Sequence, residues 1–103
     1  KEIGFRAFNG CEHLIEITLP STLQSIEGYA FYATSLTSLT MPASLNTIGA
    51  YAFGSCEILE SVKFLEHTGW TAGGTSFGNA LQIDTAAARY LTSTYVSQDW
   101  TRS

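Results

Sequence analysis

Positive charge is scarce in this chain: five Lys and Arg stand against nine Asp and Glu in 103 residues, and the basic residues nowhere cluster. Nucleic-acid binding is driven largely by Lys and Arg neutralising phosphates, and anionic membrane surfaces recruit the same residues. Neither is an expected partner. No apolar run approaches the roughly 20 residues of a membrane span, so insertion is not expected either. Charged residues of both signs make up only 14% of the chain, well below the usual quarter or so. Ser and Thr supply much of the polar surface instead, which suits an extracellular or periplasmic protein at least as well as a cytosolic one. A His-Glu-x-x-His pair is missing, which removes one common route to hydrolytic chemistry. Proline occurs twice, cysteine twice and histidine twice.

The two prolines occupy the same place in a repeat. Ile3, Ile26 and Ile48 head three copies, 23 and 22 residues apart. Ala-Phe follows four residues later in each, as Ala7-Phe8, Ala30-Phe31 and Ala52-Phe53. Then come Leu14, Leu36 and Leu59, an apolar residue three on (Ile17, Leu39, Val62) and another two further (Leu19, Met41, Phe64). Pro20 and Pro42 close two of these segments, and Leu23 and Leu45 lead into the next Ile. The middle copy is one residue short between Phe31 and Leu36.

A unit of this length is too small to bury its own apolar face and must lie against its neighbours. The Leu-x-x-Ile-x-Leu segments end in the period-2 alternation of a short strand, which Pro then stops because it has no N–H to donate. Stacked copies place equivalent positions about 4.8 Å apart. Phe8, Phe31 and Phe53 are therefore expected in one internal column, with Ile3, Ile26 and Ile48 in another.

The string I-G-x-x-A-F-x-x-C-x-x-L-x-x-I-x-L-P-x-x-L over residues 3–65 resembles the BspA-type leucine-rich repeat of bacterial surface proteins. The departures are the missing Cys in the second copy, Glu27 in place of Gly, and Leu65 in place of Pro. The resemblance implies a right-handed repeat solenoid with short parallel strands and turns, closed by a C-terminal helical cap. The expected division is three repeats within 1–65 (3–25, 26–47 and 48–65), then a connector and cap over 66–103. The C-terminal part is similar to the ends of that family, with an apolar rung at Leu81 and Ile83, a short helix around Ala86, Tyr90 and Leu91, and Trp100.

The cap also has its own chemistry. Asp84 is an N-cap candidate for a helix starting at Thr85. Ala87, Tyr90, Leu91 and Tyr95 give that helix one apolar stripe, suited to covering the open edge of a repeat stack. Residues 66–80 are Gly- and Thr-rich, with Trp70 and Phe77 as anchors. The pattern begins at once, at Ile3, without a capping lead-in, so the chain reads as the C-terminal piece of a longer repeat protein. Its first copy is expected to expose apolar atoms.

Cys11 and Cys56 share a repeat position two copies apart, roughly 10 Å by strand spacing, too far for the about 7 Å limit of a disulfide. Both read as buried small hydrophobes. Cys11 and His13 lack further metal ligands at the spacing zinc sites use, and His13 and His67 read as surface histidines. Gly73 to Gly78 superficially resembles a phosphate loop, but Asn79 stands where Lys is needed, so a turn is expected. No metal or cofactor is expected.

Two ladders remain as binding candidates. Glu16, Thr18, Ser38, Thr40, Ser61 and Lys63 alternate with the core residues and line the exposed strand face. Arg6, Tyr29 and Tyr51 recur once per copy, and such rings are able to stack or to hold a sugar. With the resemblance, the reading is a non-enzymatic protein-interaction or adhesion module, extracellular at a bacterial cell surface, whose partner is a host or other cell-surface protein. The alternatives are a structural spacer or a carbohydrate-binding module that takes a glycan.

Overall fold

In the computed structural model, which describes residues 2–66, 68–77 and 80–102, the Ile that heads each copy ends a two-residue strand. The strands are Glu2–Ile3 (β1), Ser25–Ile26 (β2), Ser38–Met41 (β3), Thr47–Ile48 (β4), Ser61–Phe64 (β5), Trp70–Ala72 (β6), Thr75–Ser76 (β7) and Trp100–Arg102 (β8). One helix, α1, spans Asp84–Arg89. β1, β2 and β4 pair in parallel with Ile3 opposite Ile26 and Ile26 opposite Ile48. β3 and β5 form a second, two-stranded parallel sheet, with Leu39 opposite Val62 and Met41 opposite Phe64.

The Phe column forms as the spacing predicts. Phe8 and Phe31 lie 5.2 Å apart and Phe31 and Phe53 5.3 Å apart, each pair within 7° of parallel. Such offset stacking adds about 0.5–1.5 kcal/mol per pair beyond area burial. Phe31, Leu36, Leu39, Met41, Phe53 and Val62 are sealed from solvent between the two sheets, with Leu23 and Leu45.

Between the strand pairs the copies are joined by turns whose N–H groups alternate in direction. In the first copy Ala7, Asn9 and Cys11 donate back within the copy, to Gly4, Arg6 and Phe8. Arg6, Phe8 and Gly10 donate forward to the carbonyls of Gly28, Ala30 and Tyr32, and Tyr29, Phe31 and Ala33 repeat this to Ala50, Ala52 and Gly54. The alternation requires two left-handed residues per copy: Arg6, Tyr29 and Tyr51 at φ 56 to 60°, and Gly10, Ala33 and Ser55 at φ 54 to 76°. A non-Gly residue there costs about 1–2 kcal/mol, which the inter-copy hydrogen bonds offset.

The copies approach most closely at Gly49. A Cβ there would collide with Gly28 N and lie 2.7 Å from the Glu27 carbonyl carbon. Backbone atoms on both sides leave little room to yield. Gly49→Ala is therefore expected to cost about 1–3 kcal/mol through overpacking, read as a lower midpoint in urea.

The structure departs from the expected architecture in five places. Leu14–Leu19 of the first copy forms no strand: the Leu14 and Ile15 carbonyls accept from the Ser35 and Thr37 N–H groups, but the Leu14 N–H turns back to the Cys11 carbonyl, and among the described residues no helix packs on this segment as α1 does on β5. The strands are not all parallel: β8 runs antiparallel to β4, placing Trp100 opposite Ile48, and β6 and β7 extend the sheet to the order β1-β2-β4-β8-β6-β7. Residues 66–80 thus contain a hairpin, turned by Gly73 and Gly74 at φ +56° and +85°, the left-handed pair a type I′ turn requires. Leu81 is buried but lies in a 3-10 turn, and Ile83 is 62% exposed, so the two form no rung.

The fifth departure is at α1. The helix starts at Asp84 rather than Thr85; Ile83, still extended, holds the cap position, and no side chain caps the free amides. Ile83 supplies the first helical carbonyl, accepting from Ala87 N–H, so Asp84 falls inside the first turn, where its charge suits the helix dipole. The chain then widens into an i→i+5 turn, Tyr95 to Tyr90. Ala87, Ala88 and Leu91 are buried, and α1 packs on β5. The helix thus covers the smaller sheet, while β8 covers the edge of β4 and joins it to β6.

Candidate functional site

All six residues expected on the strand face converge on one groove of about 540 Å³. Its floor follows from the two-residue alternation: Ser38 and Thr40 point outward while Leu39 and Met41 are buried, and Ser61 and Lys63 do the same beside Val62 and Phe64. Register places Ser38 opposite Ser61 and Thr40 opposite Lys63. Glu16 and Thr18 of the first copy complete the two rows, although they lie outside any strand. Ser21, Pro42 and Leu65 also border the groove, and so does Asp84.

Leu65 and Asp84 belong to this site and escaped the sequence reading. Leu65 occupies the repeat position of Pro20 and Pro42 and is 56% exposed, so its signal was visible as a departure from the repeat. Asp84 arrives only because α1 packs on β5, and no local pattern announces that.

The second ladder also assembles. Tyr29 and Tyr51 stack at 5.2 Å and 22°. The Arg6 guanidinium lies over the rings of both Phe5 and Tyr29, at 5.2 and 5.4 Å. Tyr32 tilts against Tyr29 at 5.1 Å and Phe5 meets it edge-on at 5.9 Å. Tyr29 is thereby enclosed by its neighbours, and contacts within the cluster occupy ring surface that a stacked sugar would use. Phe5, at 63% exposed, and Ile15, at 59%, are the most open apolar side chains of the first copy.

The remaining candidates separate. Cys11 and Cys56 are both free, as the spacing predicts, but only Cys56 is buried. Cys56 donates to the Phe31 carbonyl at 3.0 Å and touches Thr34 Oγ1 at 3.4 Å, whereas Cys11 has one neighbouring copy and stays exposed, against expectation. Burial pushes the Cys56 thiol up, and the hydrogen bond to Thr34 offsets only part of that. A disulfide reagent at neutral pH should therefore titrate one thiol rapidly, at Cys11, and a second only on unfolding; two fast thiols in the folded protein would contradict this packing.

His13 is exposed, while His67, Gly78 and Asn79 lie outside the described residues. Among the described residues no three His, Cys, Asp or Glu gather as a metal site. No helix among them is long and apolar enough to cross a membrane.

At the far end of the stack the last copy's amides are capped by residues the sequence reading missed. Ala50 N–H donates to Asp99 Oδ1 at 2.9 Å and Tyr51 N–H to the Val96 carbonyl at 2.7 Å. Arg102 reaches back to the Leu45 and Ala43 carbonyls at 3.2 and 2.8 Å. These contacts hold the C-terminal segment against β4 and so fix one end of the stack.

A model of the BspA type leucine-rich repeat region (6 copies) matches residues 1–94, passing through the three copies into α1 and the turn after it. No curated protein and no solved structure gives a significant match. The in-register Ile and Phe columns and the match over most of the chain agree, and the protein belongs to the BspA-type leucine-rich repeat family.

Proposed function

We propose that this chain is an adhesion module of a bacterial cell-surface or secreted protein, docking another cell-surface protein through the groove of its strand face. In this reading the three copies, 3–25, 26–47 and 48–65, form successive turns of a right-handed solenoid, and residues 66–103 serve as connector and cap. The module performs no chemistry and acts outside the cell. The observation that carries the reading is the groove itself: residues from all three copies line it in two polar rows, over a floor held rigid by the β3–β5 ladder.

The test is capture of matrix proteins or host cells on the immobilised protein. Saturable binding that falls at least about tenfold, equivalent to about 1.4 kcal/mol, when Thr18, Thr40 and Lys63 are replaced together with an unchanged melting temperature is the expected result. Replacing Tyr29 and Tyr51 by Ala is expected to lower the melting temperature and leave capture by the folded fraction intact. Loss of capture from the tyrosine variant alone would move the binding site to the aromatic ladder and favour a glycan. Capture unaffected by either set would favour a spacer.

A further inference from the structure

The groove contains charges that nothing in the described part of the chain neutralises. Glu16, Lys63 and Asp84 all line it, and among the described residues none of their side chains makes an ion pair or hydrogen bond. They are ordered along the stack, with Glu16 on the first copy, Lys63 on the third and Asp84 at the start of α1. Between them lie the hydroxyls of Thr18, Ser38, Thr40 and Ser61, each able to donate and accept. Complementary charge on a partner fixes register and orientation more than raw affinity, so this order constrains what fits.

We infer that the groove takes an extended peptide segment laid along the stack, with a basic residue over Glu16 and an acidic residue four positions away over Lys63. The inference rests on the reading of the strand face as a docking surface and specifies its partner. Two steps of about 4.8 Å along the stack and one same-face step of about 6.6 Å across a copy separate Glu16 from Lys63 by about 12 Å. An extended strand rises about 3.3 Å per residue and repeats its face every second residue, so residues i and i+4 share a face about 13 Å apart. A helix would need a spacing of about seven or eight residues to span the same distance, so the four-residue spacing marks the extended form. The intervening residue i+2 meets the Ser38 and Thr40 hydroxyls, which suits a small polar side chain. Asp84, past Lys63, repels a second carboxylate beyond the first.

Fluorescein-labelled nonapeptides test this by anisotropy against the intact chain. One carries Lys then Glu four residues later, one the reverse order, since either chain direction fits the geometry, and a control carries Lys at both positions. One Lys/Glu order is expected to bind saturably, about fivefold tighter than the control, and to weaken as ionic strength rises. Exchanging the charges, Glu16→Lys with Lys63→Glu, is expected to transfer the preference to the opposite order at unchanged melting temperature. Equal binding of all three peptides, no binding by either Lys/Glu peptide, or an unmoved preference in the exchanged variant overturns the inference. If neither peptide binds while the Thr18, Thr40 and Lys63 changes still abolish capture of a folded partner, the docking surface stands and only the peptide assignment falls.

Discussion

Replacing Phe31 by Ala should leave the chain largely unfolded at ambient temperature. Phe31 is fully buried in the middle copy, with Phe8 stacked on one side and Phe53 on the other. Phe→Ala in a core costs about 3–5 kcal/mol, and a domain of this size has about 5–15 kcal/mol in total, with small cores at the low end. The substitution also breaks the column at its centre, so both stacking contacts are lost at once. Phe8 is only partly buried and stacks on a single ring, so Phe8→Ala should cost distinctly less. Chemical denaturation of the two variants beside the parent measures the difference. Equal losses at the two positions, or a well-folded Phe31→Ala protein, would show that the column does not carry the fold.

The second large effect is expected at the other end of the stack. Trp100 is 1% exposed, lies opposite Ile48, packs against Phe77 at 4.6 Å and stacks on Phe64 at 6.2 Å. Its indole N–H donates to the Tyr95 carbonyl at 3.2 Å. It therefore joins three things: the sheet through β4, the hairpin through β6, and the turn after α1. Trp100→Ala should cost about 3–5 kcal/mol and expose the edge of β4, an unpaired edge being an invitation to association. Amide exchange distinguishes this from a general loss. The Ala50 and Tyr51 amides, held by Asp99 and Val96, should lose protection before those of Phe8 and Phe31 do. Uniform loss across all four would mean that the C-terminal segment and the stack unfold as one unit.

The difference between Cys11 and Cys56 shows how far a residue's position in the repeat predicts its surroundings. The two have the same repeat position, each three residues after Phe and followed by Glu, yet Cys56 is closed in by Thr34 and the Phe31 carbonyl while Cys11 is open. Position in the repeat decides where a side chain points; position in the stack decides whether anything covers it. Leu14, Ile17 and Leu19 follow the same logic, being only partly buried where Leu36, Leu39 and Met41 are sealed.

Much of the groove was legible beforehand because it depends on periodicity alone. Leu39 and Met41 alternate with Ser38 and Thr40, and a two-residue period sends them to opposite faces wherever the strand lies. The aromatic ladder was legible as an alignment but not as a conformation. Tyr and Arg ordinarily avoid φ > 0; Arg6 and Tyr29 adopt it because the neighbouring copy supplies carbonyls in the right places, and Tyr51 because Val96 of the C-terminal segment does.

Repetition at 22–23 residues determined the stacking by itself: a unit that cannot bury its own apolar face has to use its neighbour's, so Ile met Ile and Phe met Phe. The antiparallel pairing of β8, the Asp99 and Val96 caps, and the placement of Asp84 on the groove that Lys63 also lines were decided only by tertiary structure. Each depends on residues at least 20 positions apart competing for the unpaired backbone and apolar surface at the end of the stack, and that competition leaves no periodic trace in the chain.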